Sequence, residues 1–379
     1  MNLFRLVMVG STAWIAAAFL QTGLYTAQAQ TLTNPPQGDP GLFSFSAIAT
    51  VLESIADLSA RADTQHAVQF TLPDGTQIGG LLFTDPSKGV RPLVIADYGL
   101  MSSRDSGLAG DFVKKVVAVG NLNANFLVIN DISGADFYAA NRSIGLGGYD
   151  AGRILVELAQ QIKKQGVVFS SLTLMGESLG GLAVLEALIE DHRLNTHLFK
   201  SAITFSAVVD EDSSTASVMS AFNYNLNGIY GPEMPFEGMA FLTANMLSFN
   251  SELQSITTSL PDLSLIGAGE FYYSEFRQRL QSVSTTNWNP AVSRSSVESY
   301  IESSAALIQQ ISEISTPVIA VHAENDPVVP YSQFQVFAQA QSRNTNISTL
   351  GTSDGSHCGF IGAYGANYVA TLVNRAIGL

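Results

Sequence analysis

One stretch, Ser171 to Gly181 (SLTLMGESLGG), restricts what this chain can become more than any other. A short apolar run enters Gly176-Glu177-Ser178-Leu179-Gly180 directly, and an apolar helical pattern from Leu179 to His192 follows at once. Strand, tight turn and helix without a spare residue between them predict a βα unit. Small residues at 176 and 180 relieve crowding where the backbone doubles back so sharply.

The same alternation recurs along the chain. Val68, Phe70 and Leu72 alternate before Asp74-Gly75, and Ile78 with Leu81-Leu82-Phe83 follows, which predicts a strand hairpin. Pro92 to Ala96, Asn125 to Asn130, Ala202 to Ala207 and Pro317 to Val321 are short apolar runs suited to a largely parallel sheet. Helical patterns at Leu108 to Val119, Gly152 to Lys164 and Leu179 to His192 would cover its faces.

That rhythm breaks over residues 211 to 315, a span far longer than one crossover helix requires. An inserted, mainly helical cap is the economical explanation. Its aromatics, among them Phe222, Tyr230, Phe241, Tyr272 and Phe276, either form the insert's own core or line a hydrophobic substrate cavity. A lead-in helix is expected from Phe43 to Ala62.

Composition narrows the partners. Only 18 Lys plus Arg stand against 32 Asp plus Glu, a formal charge of −14, which disfavours nucleic acid and anionic membrane surfaces. The single cysteine, Cys358, excludes an internal disulfide and a thiolate-based structural zinc site. At the start, Arg5 precedes an apolar stretch from Leu6 to Leu20, and Ala27-Gln28-Ala29 has the small residues of a signal-peptidase site. We therefore expect a signal peptide over 1–29, a lead-in segment over 30–63, a core built from 64–210 and 316–379, and a cap over 211–315. Export to the periplasm or the extracellular space follows, with no stable membrane span in the mature protein.

The strand, Gly-x-Ser-x-Gly and helix resemble the nucleophile elbow of the α/β-hydrolase superfamily. The resemblance runs from about residue 64 to 379. It implies a mostly parallel central sheet flanked by helices, with the Ser178 hydroxyl projected above it. Two later segments resemble the partner loops in the superfamily's chain order. His322-Ala323-Glu324-Asn325-Asp326-Pro327 follows the Pro317 strand as the acid loop, and Gly355-Ser356-His357-Cys358-Gly359 resembles the histidine loop. The implied triad is Ser178, Asp326 and His357, with Glu324 or Asp354 as local alternatives for the acid. The same resemblance assigns the oxyanion amides to Leu179 and to Leu100, with Met101 the nearby alternative. A common His-Gly pattern is replaced here by Tyr98-Gly99.

Other polar residues read as structural. His192 and His197 are spaced so that one helix face cannot present both, and His66 has no compelling local partner. His322 reads as a hydrogen-bonding loop residue, Cys358 as packing in the active-site wall, and Asp210, Glu211 and Asp212 as a solvated acidic run. No cofactor and no metal is expected. The function implied is a secreted serine carboxylesterase or lipase-like hydrolase acting on a small-molecule or lipid-like ester with a partly apolar acyl group. Serine peptidase, acyltransferase and a noncatalytic hydrophobic-ligand-binding protein are the alternatives.

Overall fold

The computed structural model describes residues 65–378, apart from 101, 105–106, 118–121, 146, 212, 215–273, 283–288, 294, 297–298, 301–302 and 327. The signal-peptide and lead-in readings, and most of the cap reading, lie outside the described residues.

Eight strands form one sheet: β1 (Gln65–Thr71), β2 (Gln77–Phe83), β3 (Leu93–Asp97), β4 (Asn125–Ile129), β5 (Leu172–Glu177), β6 (Ser201–Phe205), β7 (Val318–Ala323) and β8 (Ile347–Thr352). Their order is β1-β2-β4-β3-β5-β6-β7-β8. The hairpin read around Asp74-Gly75 joins β1 to β2, with Phe70 opposite Ile78, and β2 pairs antiparallel with β4. From β4 to β8 every pairing is parallel. The sheet is thus mostly parallel, with two antiparallel pairings at one side.

Alternation along the central strands explains why the sheet is sandwiched. Leu93 and Ile95, Leu127, Leu174 and Ala202 face one apolar core, which α3 (Tyr149–Lys164) and α4 (Leu179–Arg193) complete with Ile154, Leu158, Leu182 and Leu185. Val94, Phe126, Met175 and Ile203 face the other, closed by Phe112 of α1 (Gly107–Phe112) and by Leu372 and Val373 of α7 (Ala366–Gly378). Short apolar strands covered on both faces are what a parallel sheet demands. The helix read over Leu108 to Val119 is α1 continued by a π-helical turn, Val113–Val117, which keeps Val113 and Val116 buried. Three further helices, α2 (Ala135–Asn141), α5 (Tyr331–Gln341) and α6 (Phe360–Tyr364), join strand ends and loops.

The strand order positions the site. From β3 the chain moves to β4 on one side, then returns to place β5 on the other, so the loops after β3 and β5 diverge from adjacent strand ends. Such a switch opens a crevice at the carboxyl edge of a parallel sheet. Two differences from the sequence reading bear on it. β5 runs on through Gly176 and Glu177, because Gly176 pairs with Asp97 and Thr204, and Glu177 with Phe205. β8 was not read at all, because it is an edge strand in which only its first and last residues are buried.

Within 211–315, a helical stretch over 274–282 returns to the core. Phe276 and Tyr300 are buried edge to face, and the Tyr300 hydroxyl donates to the Gly147 carbonyl at 3.0 Å. Arg279 is buried, ion-paired to Asp150 at 2.7 Å and set over the Phe137 ring.

Candidate active site

Ser178 sits between β5 and α4 with φ 55° and ψ −124°, a left-handed conformation that costs a non-glycine residue about 1–3 kcal/mol. The surroundings hold it there. Its N–H donates to the Phe205 carbonyl of β6 at 3.0 Å, and its carbonyl accepts from Gly181 at 2.9 Å and Val208 at 3.2 Å. The flanking glycines are required by contact as much as by torsion: a Cβ on Gly176 would collide with the Gly180 carbonyl, and one on Gly180 with the Asp97 carbonyl. The turn is therefore tight because backbone meets backbone where side chains would otherwise be.

The structure brings Ser178, His357 and Asp326 together from three loops. His357 Nε2 lies 2.9 Å from Ser178 Oγ, and Nδ1 lies 3.1 and 3.2 Å from the two Asp326 carboxylate oxygens. With Nδ1 protonated and donating to Asp326, Nε2 is left to accept the serine proton. The Asp326 side chain has no exposed surface. Burial alone would raise its pKa, but the His357 ring and the N–H of Val329 outweigh that and hold it below the usual carboxylate range. Val328 and Val329 donate to its Oδ1 at 2.8 and 2.9 Å.

The acid and histidine loops are sewn to each other. Asn325 accepts from the Ser356 N–H at 2.8 Å and donates to Asp354 Oδ1 at 2.7 Å. Ser356 and Cys358, on either side of His357, both have positive φ, so the ring is carried on a backbone kink. The alternative acids are placed elsewhere: Glu324 is exposed, and Asp354 caps its own loop by accepting from Gly355 N–H.

On the opposite side of Ser178, Leu179 heads α4, where the first amides lack intrahelical acceptors. Gly99, at φ 76°, packs its backbone against the Leu179 and Gly180 amides; a Cβ there would come within 2.9 and 2.6 Å of them. Leu100 follows directly and is half-buried, while Met101 lies outside the described residues.

His322 is buried between the Tyr331 and Phe334 rings, and its Nε2 lies 3.0 Å from the Val329 carbonyl. Burial lowers its pKa and keeps it neutral, so it braces the acid loop. Cys358 is buried, and burial pushes its thiol well above the ordinary range. His66, His192 and His197 are exposed, and no group of three or more His, Cys, Asp or Glu able to hold a metal occurs among the described residues. One reading is corrected: Glu211 is buried, not solvated, because the segment after β6 folds back under Gln333, whose side chain accepts from the Val209 and Asp210 amides.

Three buried acids near the site were not singled out from the sequence. Glu177, immediately before the nucleophile position, is pushed up to about 8 by burial, with a Cys358 hydrogen bond working against the shift. Asp97 and Asp131 close adjacent apolar runs, and an acid ending a buried strand was the available signal.

Solved structures share this architecture at low sequence identity. An esterase from Pyrococcus furiosus, Pf2001, aligns at 14% identity with a TM-score of 0.50, over 91% of this chain and 98% of its own. A puromycin-hydrolyzing peptidase from Mycobacterium tuberculosis aligns at 17% identity and a TM-score of 0.48, over 83% of this chain and 40% of that longer one. No sequence-family model and no curated protein sequence matches the chain. The mostly parallel sheet and the strand-to-helix turn at its carboxyl edge are those of the α/β-hydrolase fold.

Proposed function

We propose that this protein is an exported serine hydrolase that cleaves carboxylic esters with a partly apolar acyl group through an acyl-enzyme on Ser178. One observation carries the reading: a serine on a strained, backbone-packed turn has its Oγ 2.9 Å from an imidazole nitrogen whose other nitrogen meets a buried carboxylate.

The chemistry follows from those contacts. His357 Nε2 takes the Ser178 proton as Oγ bonds to the substrate carbonyl carbon, a general-base contribution of about 10²–10⁴-fold. Asp326 keeps the proton of His357 on Nδ1 and stabilises the imidazolium that forms. The developing oxyanion is received by the Leu179 amide and by an amide of the 99–101 loop, Leu100 being our assignment; each such donor contributes about 2.7–4 kcal/mol. His357 returns the proton to the departing alcohol. It then activates water to release the acid. We assign 211–315 as a cap over the acyl site. Among the described residues no helix is long and apolar enough to cross a membrane.

The test is hydrolysis of chromogenic esters of graded acyl length, with matched amides, by wild type and Ser178→Ala. Ester turnover that exceeds amide turnover and disappears in Ser178→Ala supports the reading, whereas equal rates for the two proteins overturn it. Amino-terminal sequencing of protein recovered outside the cytoplasm tests export, with Gln30 expected as the first residue.

A further inference from the structure

Two carboxyl groups outside the triad meet beneath the loop that carries Leu100. Asp97 ends β3 and Asp131 follows β4, and these strands are parallel neighbours paired up to Ala96 with Val128, so both acids arrive at the same edge. Each is 1% exposed. Asp97 Oδ1 accepts the Gly99 N–H at 2.9 Å, and Asp131 Oδ1 accepts the Ser133 N–H at 2.8 Å and the Ser133 hydroxyl. The second oxygen of each, Oδ2, is buried and receives no donor from the groups around it, and the two carboxyls lie close enough to perturb each other's ionisation. Two ionised carboxylates in contact would leave both oxygens unsatisfied and repelling. One proton between them supplies the missing donor to both.

The two residues meet the loop at its two ends, Asp97 through its carboxylate and Asp131 through its backbone N–H. Asp97 holds its entry at Gly99. Asp131 holds its exit, its N–H donating to the Ser102 carbonyl at 3.1 Å, while Ser102 N–H donates to the Gly99 carbonyl at 2.9 Å. Between those points stands Leu100, and Gly99 itself rests on the Leu179 and Gly180 amides.

We propose that Asp97 and Asp131 share a single proton and act as positioning residues for the oxyanion loop, holding its amide toward Ser178; this rests on the serine-hydrolase reading above. Burial drives both acids toward the neutral form, Asp97 to about 6 and Asp131 well above its ordinary range, with the Asp97 charge adding to burial at Asp131. Charged groups on the surrounding elements have contacts of their own: Arg104 reaches the Gly80 carbonyl, Asp150 on α3 is paired with Arg153 and Arg279, Glu177 on β5 bonds Cys358, and Asp136 opens α2. Loss of the shared proton at alkaline pH sets two adjacent negative charges against each other and loosens the loop, which lowers kcat more than KM.

Three measurements on the whole protein test this. Infrared difference spectra of wild type against Asp131→Asn read the neutral carboxyl without any substrate; its band is expected at neutral pH in wild type, and its absence overturns the shared proton. Amide exchange of peptides covering 98–102 reads the grip on the loop, expected to quicken in Asp131→Ala and not in Asp131→Asn, whose amide N–H replaces the proton. Unchanged exchange in both variants overturns the positioning role. In ester kinetics, Asp131→Asn is expected to keep kcat within about threefold at neutral pH and to lose the pair's alkaline decline, while Asp131→Ala loses about tenfold in kcat with KM little changed. A KM-only effect also overturns it. Should Ser178→Ala hydrolyse esters as fast as wild type, the serine mechanism fails, and the infrared and exchange results still decide the pair.

Discussion

The two sides of Ser178 hold buried carboxyl groups in opposite states. Asp326 is surrounded by donors, two backbone amides and an imidazole, and stays ionised in spite of complete burial. Asp97 and Asp131 are equally buried but have one donor-free oxygen each, and their pKa values rise. Burial is common to both, so the neighbours decide the charge: an imidazole and backbone amides beside Asp326, a second carboxyl beside Asp131. The histidine side is thereby rigid and charged, whereas the oxyanion side depends on a proton that alkaline solution removes.

Substitutions break or sharpen this contrast in descending order of effect. Asp326→Asn strikes the charged side hardest: it removes the acceptor that fixes the His357 tautomer, and kcat for a short ester should fall on the order of 10³–10⁴-fold. A loss under about tenfold would remove Asp326 from the acid role. Asn325→Ala cuts the stitch between the acid and histidine loops, leaving Ser356 N–H without its acceptor and Asp354 with one donor fewer. Urea unfolding should show a loss of about 1–3 kcal/mol.

Glu177→Gln tests whether the raised acid beside the nucleophile behaves like the Asp97 pair. The folded protein keeps this proton after the unfolded chain has released it, so its contribution to stability is fully present below the ordinary value of 4.5 and is lost as pH climbs toward about 8. Unfolding measured across that window should be less pH-dependent in Glu177→Gln than in wild type, and parallel curves would show that Glu177 is not the titrating group. Smallest of all, Glu324→Gln changes an exposed neighbour of Asp326 and should move stability by no more than about 0.5 kcal/mol and leave kcat unaltered.

What the sequence made legible follows the same division. Ser178, Asp326 and His357 stand on loops whose local composition announces them, and their chain order is informative without a structure. The Asp97 and Asp131 contact was not legible, because it depends on β3 and β4 being adjacent in the sheet, a fact of strand order and not of local pattern. The ion pair of Arg279 with Asp150 joins residues 129 positions apart and leaves no periodic trace. β8 escaped for a different reason: an edge strand with a half-buried interior has no apolar run to read. The central strands are legible to within a few residues because, covered on both faces, they carry mostly apolar side chains.

The anchoring of the long insert has a consequence for how such a chain can diversify. Gln333 fastens the segment just before 215, and Arg279 and Tyr300 fasten the segment after 273 to Asp150 of α3 and to Gly147. Under the cap assignment proposed above, a change of length between these anchors would add only a logarithmic closure cost, about 0.6 kcal/mol for each doubling. On that assignment, substrate choice and the Ser178 turn sit on separate parts of the chain, and the first can change without the second.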